Sequence, residues 1–269
     1  DESTGTDAIL ISAAIQAVAE GNHSSSSNAT RLEFMTGASE AATQKMTLSS
    51  AGLLRLGGST SPDAAADNLV MQGSGDTGMS IFSGGSDKAS IFLGTDGANN
   101  DCRLIYDNDA NSIHLYGNAA EVMKVNGNGS ITKPLQPCFL GRIGSDQSIS
   151  ATSATTLTID TERFDQNADF NTGTYTFTAP VTGRYMFSAF ASYNALTAGT
   201  YVSLFIETSN ATYHAVGDVS GNSFNSQSIT IVADMDTNDT ALLKNETQGD
   251  SSYTARGGTA TFFSGCLLA

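Results

Sequence analysis

Residues 175–190 read YTFTAPVTGRYMFSAF, and the fold is decided here. Apolar and polar residues alternate, as a half-buried strand requires: Tyr175, Phe177 and Ala179 fall on one face, Thr176 and Thr178 on the other. Pro180 cannot donate a ladder hydrogen bond, so the strand stops there. Gly183 is expected to supply the backbone freedom of a tight turn. A second alternating run follows, with Tyr185, Phe187 and Ala189 against Arg184, Met186 and Ser188. The pair predicts a hairpin with an aromatic inner face. The chain closes on a matching strand, ATFFSGCLLA, at 260–269.

Phe177, Pro180, Gly183, Tyr185 and Phe187, then Phe262, Phe263, Gly265 and Leu267, resemble the signature of the complement and tumour-necrosis-factor superfamily. The specific resemblance is to the globular head of the complement first-component q subunit. It covers about the last half of the chain and implies a jelly-roll sandwich. It says little about ligand, because that fold serves many binders.

Further strands fit the same head: TTLTID at 155–160, YVSLFIET at 201–208, YHAVGDV at 213–219, FNSQSITIVAD at 224–234 and TALLKN at 240–245. Upstream, Pro134 and Pro137 are two of only four prolines and forbid a central strand, so the boundary is placed there. Residues 1–133 form a β-repeat shaft, 134–141 a Pro-containing linker and 142–269 the head. CFLGRI, 138–143, is read as the first head strand.

The shaft carries an internal repeat. MTLSSAGLL at 46–54 and MKVNGNGSI at 123–131 share M-x-[L/V]-x-x-x-G-x-[L/I]. Each is preceded by a short strand, RLEFMTG at 31–37 or SIHLYGN at 112–118, and by an Ala-Ala pair. Gly52 and Gly129 are therefore expected at matching turns. NLVMQG at 68–73, MSIFSG at 79–84, ASIFLG at 89–94 and CRLIYD at 102–107 predict further short strands. Residues 8–19 are small and apolar throughout; β-branched Ile9, Ile11, Ile15 and Val18 favour strand, with helix the alternative. NHSSSSNAT at 22–30 is a polar loop. Strands so narrow cannot bury their apolar faces within one chain, whereas three chains wound around one axis can. The order of units resembles the shafts of bacteriophage tail fibres.

Composition fits this architecture. Of 269 residues 39% are hydrophobic, enough for a core, while only 14% are charged. The surface must then be built from Ser, Thr, Asn and Gly. A net charge of -15 argues against nucleic acid and anionic membrane as partners. No apolar run approaches the ~20 residues of a membrane span. Cys102, Cys138 and Cys266 lack the spacing of a metal or redox motif and read as free or buried thiols. Asp1 in place of an initiating Met fits a fragment or a processed product.

No catalytic constellation is evident. His23, His114 and His214 show no ligand spacing, and no metal residue is assigned. There is no G-x-S-x-G elbow, and GNGS at 127–130 lacks the Lys of a phosphate loop. No cofactor is expected. DNDAN at 107–111 and DMDTND at 234–239 leave calcium open, although Asp and Asn are turn residues in their own right.

The expected fold is all-β: an elongated, intertwined trimeric shaft followed by a jelly-roll head. The expected function is that of the distal part of a virion fibre. It sits on the virion surface beside other tail or fibre proteins and binds a host-cell receptor, a glycan by preference. A polysaccharide depolymerase and a purely structural fibre are the alternatives. In the family that the head resembles, both termini lie at the trimer base. That implies a distal end formed by loops 193–199, 218–223 and 245–258. Tyr193, Asn194, Asn222, Tyr253 and Arg256 are the expected receptor contacts.

Overall fold

Alternating sequence becomes alternating burial along residues 183–194 and 240–248. In the computed structural model, which describes residues 10–38, 40–58, 68–95, 98–150, 153–220, 224–250 and 252–269, every regular element is a strand. Two units result, residues 1–82 and 83–269.

The first unit is one five-stranded sheet in the order β1 (Ala13–Ala19), β2 (Thr30–Thr36), β3 (Thr43–Leu48), β4 (Leu54–Gly57) and β5 (Leu69–Gln72). All neighbours are antiparallel except β4 and β5, which are parallel. The apolar stretch at 8–19 is thus strand, not helix, over its described part. The register aligns Ile15, Phe34, Met46, Leu56 and Met71 in one row, and Ala17, Leu32, Leu48, Leu54 and Leu69 in the next but one. Period-2 alternation puts both rows on the same face. The opposite face carries Gln16, Arg31 and Glu33, where Gln16 Nε2 and Arg31 Nε both donate to the Glu33 carboxylate, at 2.8 and 2.7 Å.

The second unit opens with another five-stranded antiparallel sheet. Its strands are β6 (Lys88–Thr95), β7 (Ala98–Asp107), β8 (Ser112–Gly117), β9 (Ala120–Val125) and β10 (Ile131–Thr132). Ile91, Leu104, Leu115 and Met123 align in one row, with Tyr106, Ile113, Val125 and Ile131 two residues away on the same face. This sheet repeats the first. Phe34 faces Met46 as Leu115 faces Met123, and a bulge follows Phe34 as one follows Leu115. Gly52 donates its N–H to Ser49 and Gly129 to Asn126, with φ of 83° and 84°. The turn expected at both glycines is present. Residues 79–84, expected as a strand, join no ladder among the described residues, and Phe82 is 92% exposed.

The rest of the unit is a two-layer sandwich. Its strands are β11 (Cys138–Arg142), β12 (Gln147–Ile149), β13 (Thr155–Thr156), β14 (Thr161–Asp165), β15 (Phe170–Asn171), β16 (Thr176–Thr178), β17 (Gly183–Asn194), β18 (Tyr201–Thr208), β19 (Thr212–Asp218), β20 (Asn225–Met235), β21 (Thr240–Gln248), β22 (Tyr253–Ala255) and β23 (Thr261–Leu267). One sheet runs β12-β22-β17-β23-β11-β14, with β20 also paired to β17. The other runs β15-β16-β21-β18-β19, with β13 on β21. The first and last long strands of the sandwich are thus neighbours at its centre, and β17 binds both β20 and β23.

The opening stretch supplies the core, as its alternation predicts, but it is not the expected hairpin. β16 pairs with β15 and β21 in one sheet, and β17 with β20, β22 and β23 in the other. The turn at 180–182 thus crosses between the layers, and the aromatic faces meet across the core. Phe177, Tyr185 and Phe187 are buried with Phe139, Phe170 and Phe263. The rings of Phe139 and Phe170 lie 4.6 Å apart, and those of Phe177 and Phe187 5.5 Å apart edge to face. Gly183 departs from expectation, because it lacks a positive φ. A side chain there would meet the Ala269 carbonyl, so the position needs glycine for close approach.

Candidate receptor-binding surface

Strand direction sorts the head's turns into two ends. Cys138 faces Cys266, and Arg184 N–H donates to the Ala269 carbonyl, so the end of the chain lies beside the turn at 180–183. The turns at 208–212 and 234–239 share that end: Asn210 Nδ2 donates to Asp239 Oδ2 at 2.6 Å, and Thr182 Oγ1 donates to Asp236 Oδ1 at 3.3 Å.

The opposite end gathers the other loops. Gly199 N–H donates to the Val219 carbonyl, and Arg256 N–H to the Ser192 carbonyl. Asp250 braces this end from inside. Its carboxylate accepts the Thr197 N–H at 2.9 Å and the Thr200 hydroxyl at 3.1 Å. Burial pushes the Asp250 carboxyl up, but the hydrogen bonds from Thr197 and Thr200 outweigh it and hold the group below the usual carboxylate range.

Of the five expected contact residues, two turn inward. Tyr193 is 0% exposed and Tyr253 is 2% exposed, their rings packed edge to face at 6.1 Å. Burial pushes the Tyr253 hydroxyl up to about 12. Burial also lifts the Tyr193 hydroxyl well above its ordinary value, with Tyr253 adding to the effect. The stretch 245–258, expected as one long loop, holds the end of β21 and all of β22. Tyr253 occupies an inward position of β22, opposite Ile149, and its hydroxyl accepts a hydrogen bond from buried Asn245. These two tyrosines support the rim from beneath and, in this arrangement, do not reach a ligand.

Asn194 is half-buried at the end of β17, where it pairs with Thr254. Arg256 is exposed, and its guanidinium carbon lies 5.8 Å from the centroid of the Phe224 ring. Asn222 lies outside the described residues. Phe224, read from sequence only as the start of a strand, is 61% exposed. An aromatic at a strand start carries no signal that it faces outward. Asn194, Phe224 and Arg256 thus offer a carboxamide, an apolar ring and a fixed positive charge on the outer surface of this end. Such a set suits stacking on a sugar ring and hydrogen bonding to hydroxyls or carboxylates.

Acidic turns are occupied by their own loops. Asp107 accepts the Ala110 N–H at 3.1 Å and pairs with Lys88 Nζ at 3.1 Å. That N–H first, and Lys88 second, hold its carboxyl below the usual range. Asp239 accepts the Asp236 N–H at 2.8 Å. Among the described residues no cluster of three or more His, Cys, Asp or Glu is placed to hold a metal ion.

One hydrogen-bonded chain has the order of a nucleophilic triad. Ser112 Oγ lies 2.8 Å from His114 Nε2, and His114 Nδ1 is hydrogen-bonded to Glu121. Ser112 is 2% exposed and sits in a regular antiparallel ladder with Asp107. A nucleophile so enclosed has no open side for a substrate, and paired backbone amides form no oxyanion hole. The chain satisfies polar groups on the face of the sheet opposite its apolar rows.

The two packed sheets and their loop-bearing ends define a jelly-roll sandwich. Residues 142–268 match the family model of the C1q domain. Similar solved structures include the globular domain of zebrafish complement 1qA protein, at 19% identity over 50% of this chain and 98% of that one, with a TM-score of 0.39. Murine APRIL at pH 8.0 follows at 12% identity, 49% and 99% coverage and a TM-score of 0.37. The Eiger TNF of S. frugiperda stands at 11%, 50% and 94%, with 0.36. No curated protein matches the chain.

Proposed function

We propose that this chain is the distal part of a trimeric virion fibre, most simply a phage tail fibre, that attaches to a host-cell receptor through its head. Residues 1–133 are the shaft, and the head follows the Pro-containing linker, beginning with β11. One observation carries the reading. Both five-stranded sheets bear a face of apolar rows left exposed among the described residues, with Ile15, Leu69, Leu93, Leu104 and Ile113 among them. Three copies around one axis bury such faces together, and three heads then bind multivalently. The receptor site is the rim of Asn194, Phe224 and Arg256, with Asn222 beside it in sequence order, and its ligand is a surface glycan. A calcium ion is not required by this reading.

Labelled full-length protein applied to a panel of bacterial cells and their purified surface polysaccharides tests the proposal. Binding that falls at least about ten-fold in Phe224→Ala with Arg256→Ala, at unchanged sedimentation, is the expected result. Undiminished binding by that variant moves the site elsewhere. Polysaccharide chain cleavage by the native protein would overturn adhesion in favour of depolymerisation.

A further inference from the structure

We propose that Cys138 and Cys266 are a cross-strand dithiol that oxidises to a disulfide, stapling the first long strand of the head to the last. The proposal does not rest on the attachment function. The two cysteines are direct partners on antiparallel β11 and β23. Leu267 N–H donates to the Pro137 carbonyl at 3.0 Å, and Ile143 N–H donates to the Thr261 carbonyl at 3.2 Å. Bonds between flanking residues mark Cys138 and Cys266 as a pair without ladder hydrogen bonds of its own. In such pairs Cα atoms lie about 4.5 Å apart and side chains are closest, which is within the span a disulfide bridges.

Both side chains point the same way. Phe139 and Gly265 point into the core, so their neighbours Cys138 and Cys266 face outward, half-buried, beside Met186. The strands on either side hold the pair in register: Gln166 N–H donates to the Cys138 carbonyl, and Leu268 N–H to the Arg184 carbonyl. Cys102 sits in another sheet opposite Leu93 and has no cysteine partner.

The chemistry is thiol–disulfide exchange with a low-molecular-weight disulfide such as glutathione disulfide. One cysteine loses its proton to water, and its sulfur attacks the small disulfide, expelling a thiolate that takes up a proton. The second cysteine attacks the mixed disulfide in the same way. Two protein thiols become one disulfide, and one small disulfide becomes two small thiols. Burial first, then the facing Cys266, pushes the Cys138 thiol above its ordinary value, so exchange should quicken from pH 7 toward pH 9.

Native full-length protein is incubated in glutathione disulfide, alkylated and digested without reductant. The expected result is the loss of two of the three thiols, a bridged peptide pair containing Cys138 and Cys266, and alkylated Cys102. The thermal midpoint should rise by about 5 °C, reversibly with dithiothreitol. Cys102→Ser should keep the bridge and Cys138→Ser should lose it. Persistence of all three thiols, a bridge to Cys102, or bonds only between chains overturns the proposal. The native-protein peptide map decides the matter even if Cys138→Ser fails to fold.

Discussion

A methyl group on Gly265 would lie 2.6 Å from a Phe187 ring carbon and 2.7 Å from one of Phe139. Those rings are packed on all sides and cannot swing away. Gly265→Ala should therefore cost about 2 kcal/mol, read as a lower urea midpoint at constant slope. An unchanged midpoint would mean the rings have slack. The sequence marks Gly265 as a signature residue, but the ring-to-backbone contact that demands it joins strands far apart in the chain. The two inward tyrosines show both sides of legibility. Counting by twos from Tyr185 along β17 reaches Tyr193, so its burial could be read from the stretch that opens the sandwich. Tyr253 could not, because its partners are Asn245 and Ile149 and nothing local marks Ser252 or Thr254 as strand. Asp250 yields a pH prediction. Its folded pKa lies below the unfolded value of about 3.9, so its contribution is present above that pH and is lost as pH falls through the folded value. Asp250→Asn should thus lower the thermal midpoint at pH 7, with the gap to the parent closing below about pH 4. A gap that stays constant from pH 3 to 7 would contradict this.

Repeated elements invite paired substitutions. Gly52 and Gly129 hold the same left-handed turn in two sheets, and a β-branched residue there is strained by about 1–2 kcal/mol. Gly52→Val should weaken hydrogen-exchange protection of β3 and β4, and Gly129→Val that of β9 and β10. Protection of β17 and β23 should hold in both. Equal protection of all strands in either variant would refute the matched-turn reading. Here the sequence was informative, because M-x-[L/V]-x-x-x-G-x-[L/I] encodes strand, turn and strand within nine residues. It was less so at residues 79–84, where MSIFSG, with Met79, Ile81 and Phe82 among Ser and Gly, resembles the real strand sequence ASIFLG at 89–94. A strand needs a partner as well as a pattern, and no local signal reports one. The strands within 245–258, expected as one long loop, were hidden for a related reason. Asn245 and Thr247 are buried by pairing and hydrogen bonding, not by apolarity.

At the scale of the whole molecule the uncovered faces set the strongest constraint. A sheet must lay its apolar face on another layer, and a single five-stranded sheet has none. In the first sheet the face holds Ile15, Leu32, Leu48, Leu56, Leu69 and Met71; in the second it holds Ile91, Leu93, Leu104, Tyr106, Ile113 and Leu115; all of these are exposed in one chain. The head adds Met186, Val232 and Phe164 on the outer side of its larger sheet. Contiguous exposed apolar rows of this kind mark surfaces that soluble proteins cover with a partner. We therefore expect the full chain to sediment as a stable species of three times 27.8 kDa at micromolar concentration. Leu104→Asp with Leu115→Asp places two charges in the centre of one apolar face and should dissociate or aggregate that species. Ser90→Asp, on the opposite face of the same sheet, should leave it intact. A native protein that sediments as a monomer, or a double-aspartate variant that remains trimeric, would show that these faces are covered by something other than copies of the chain.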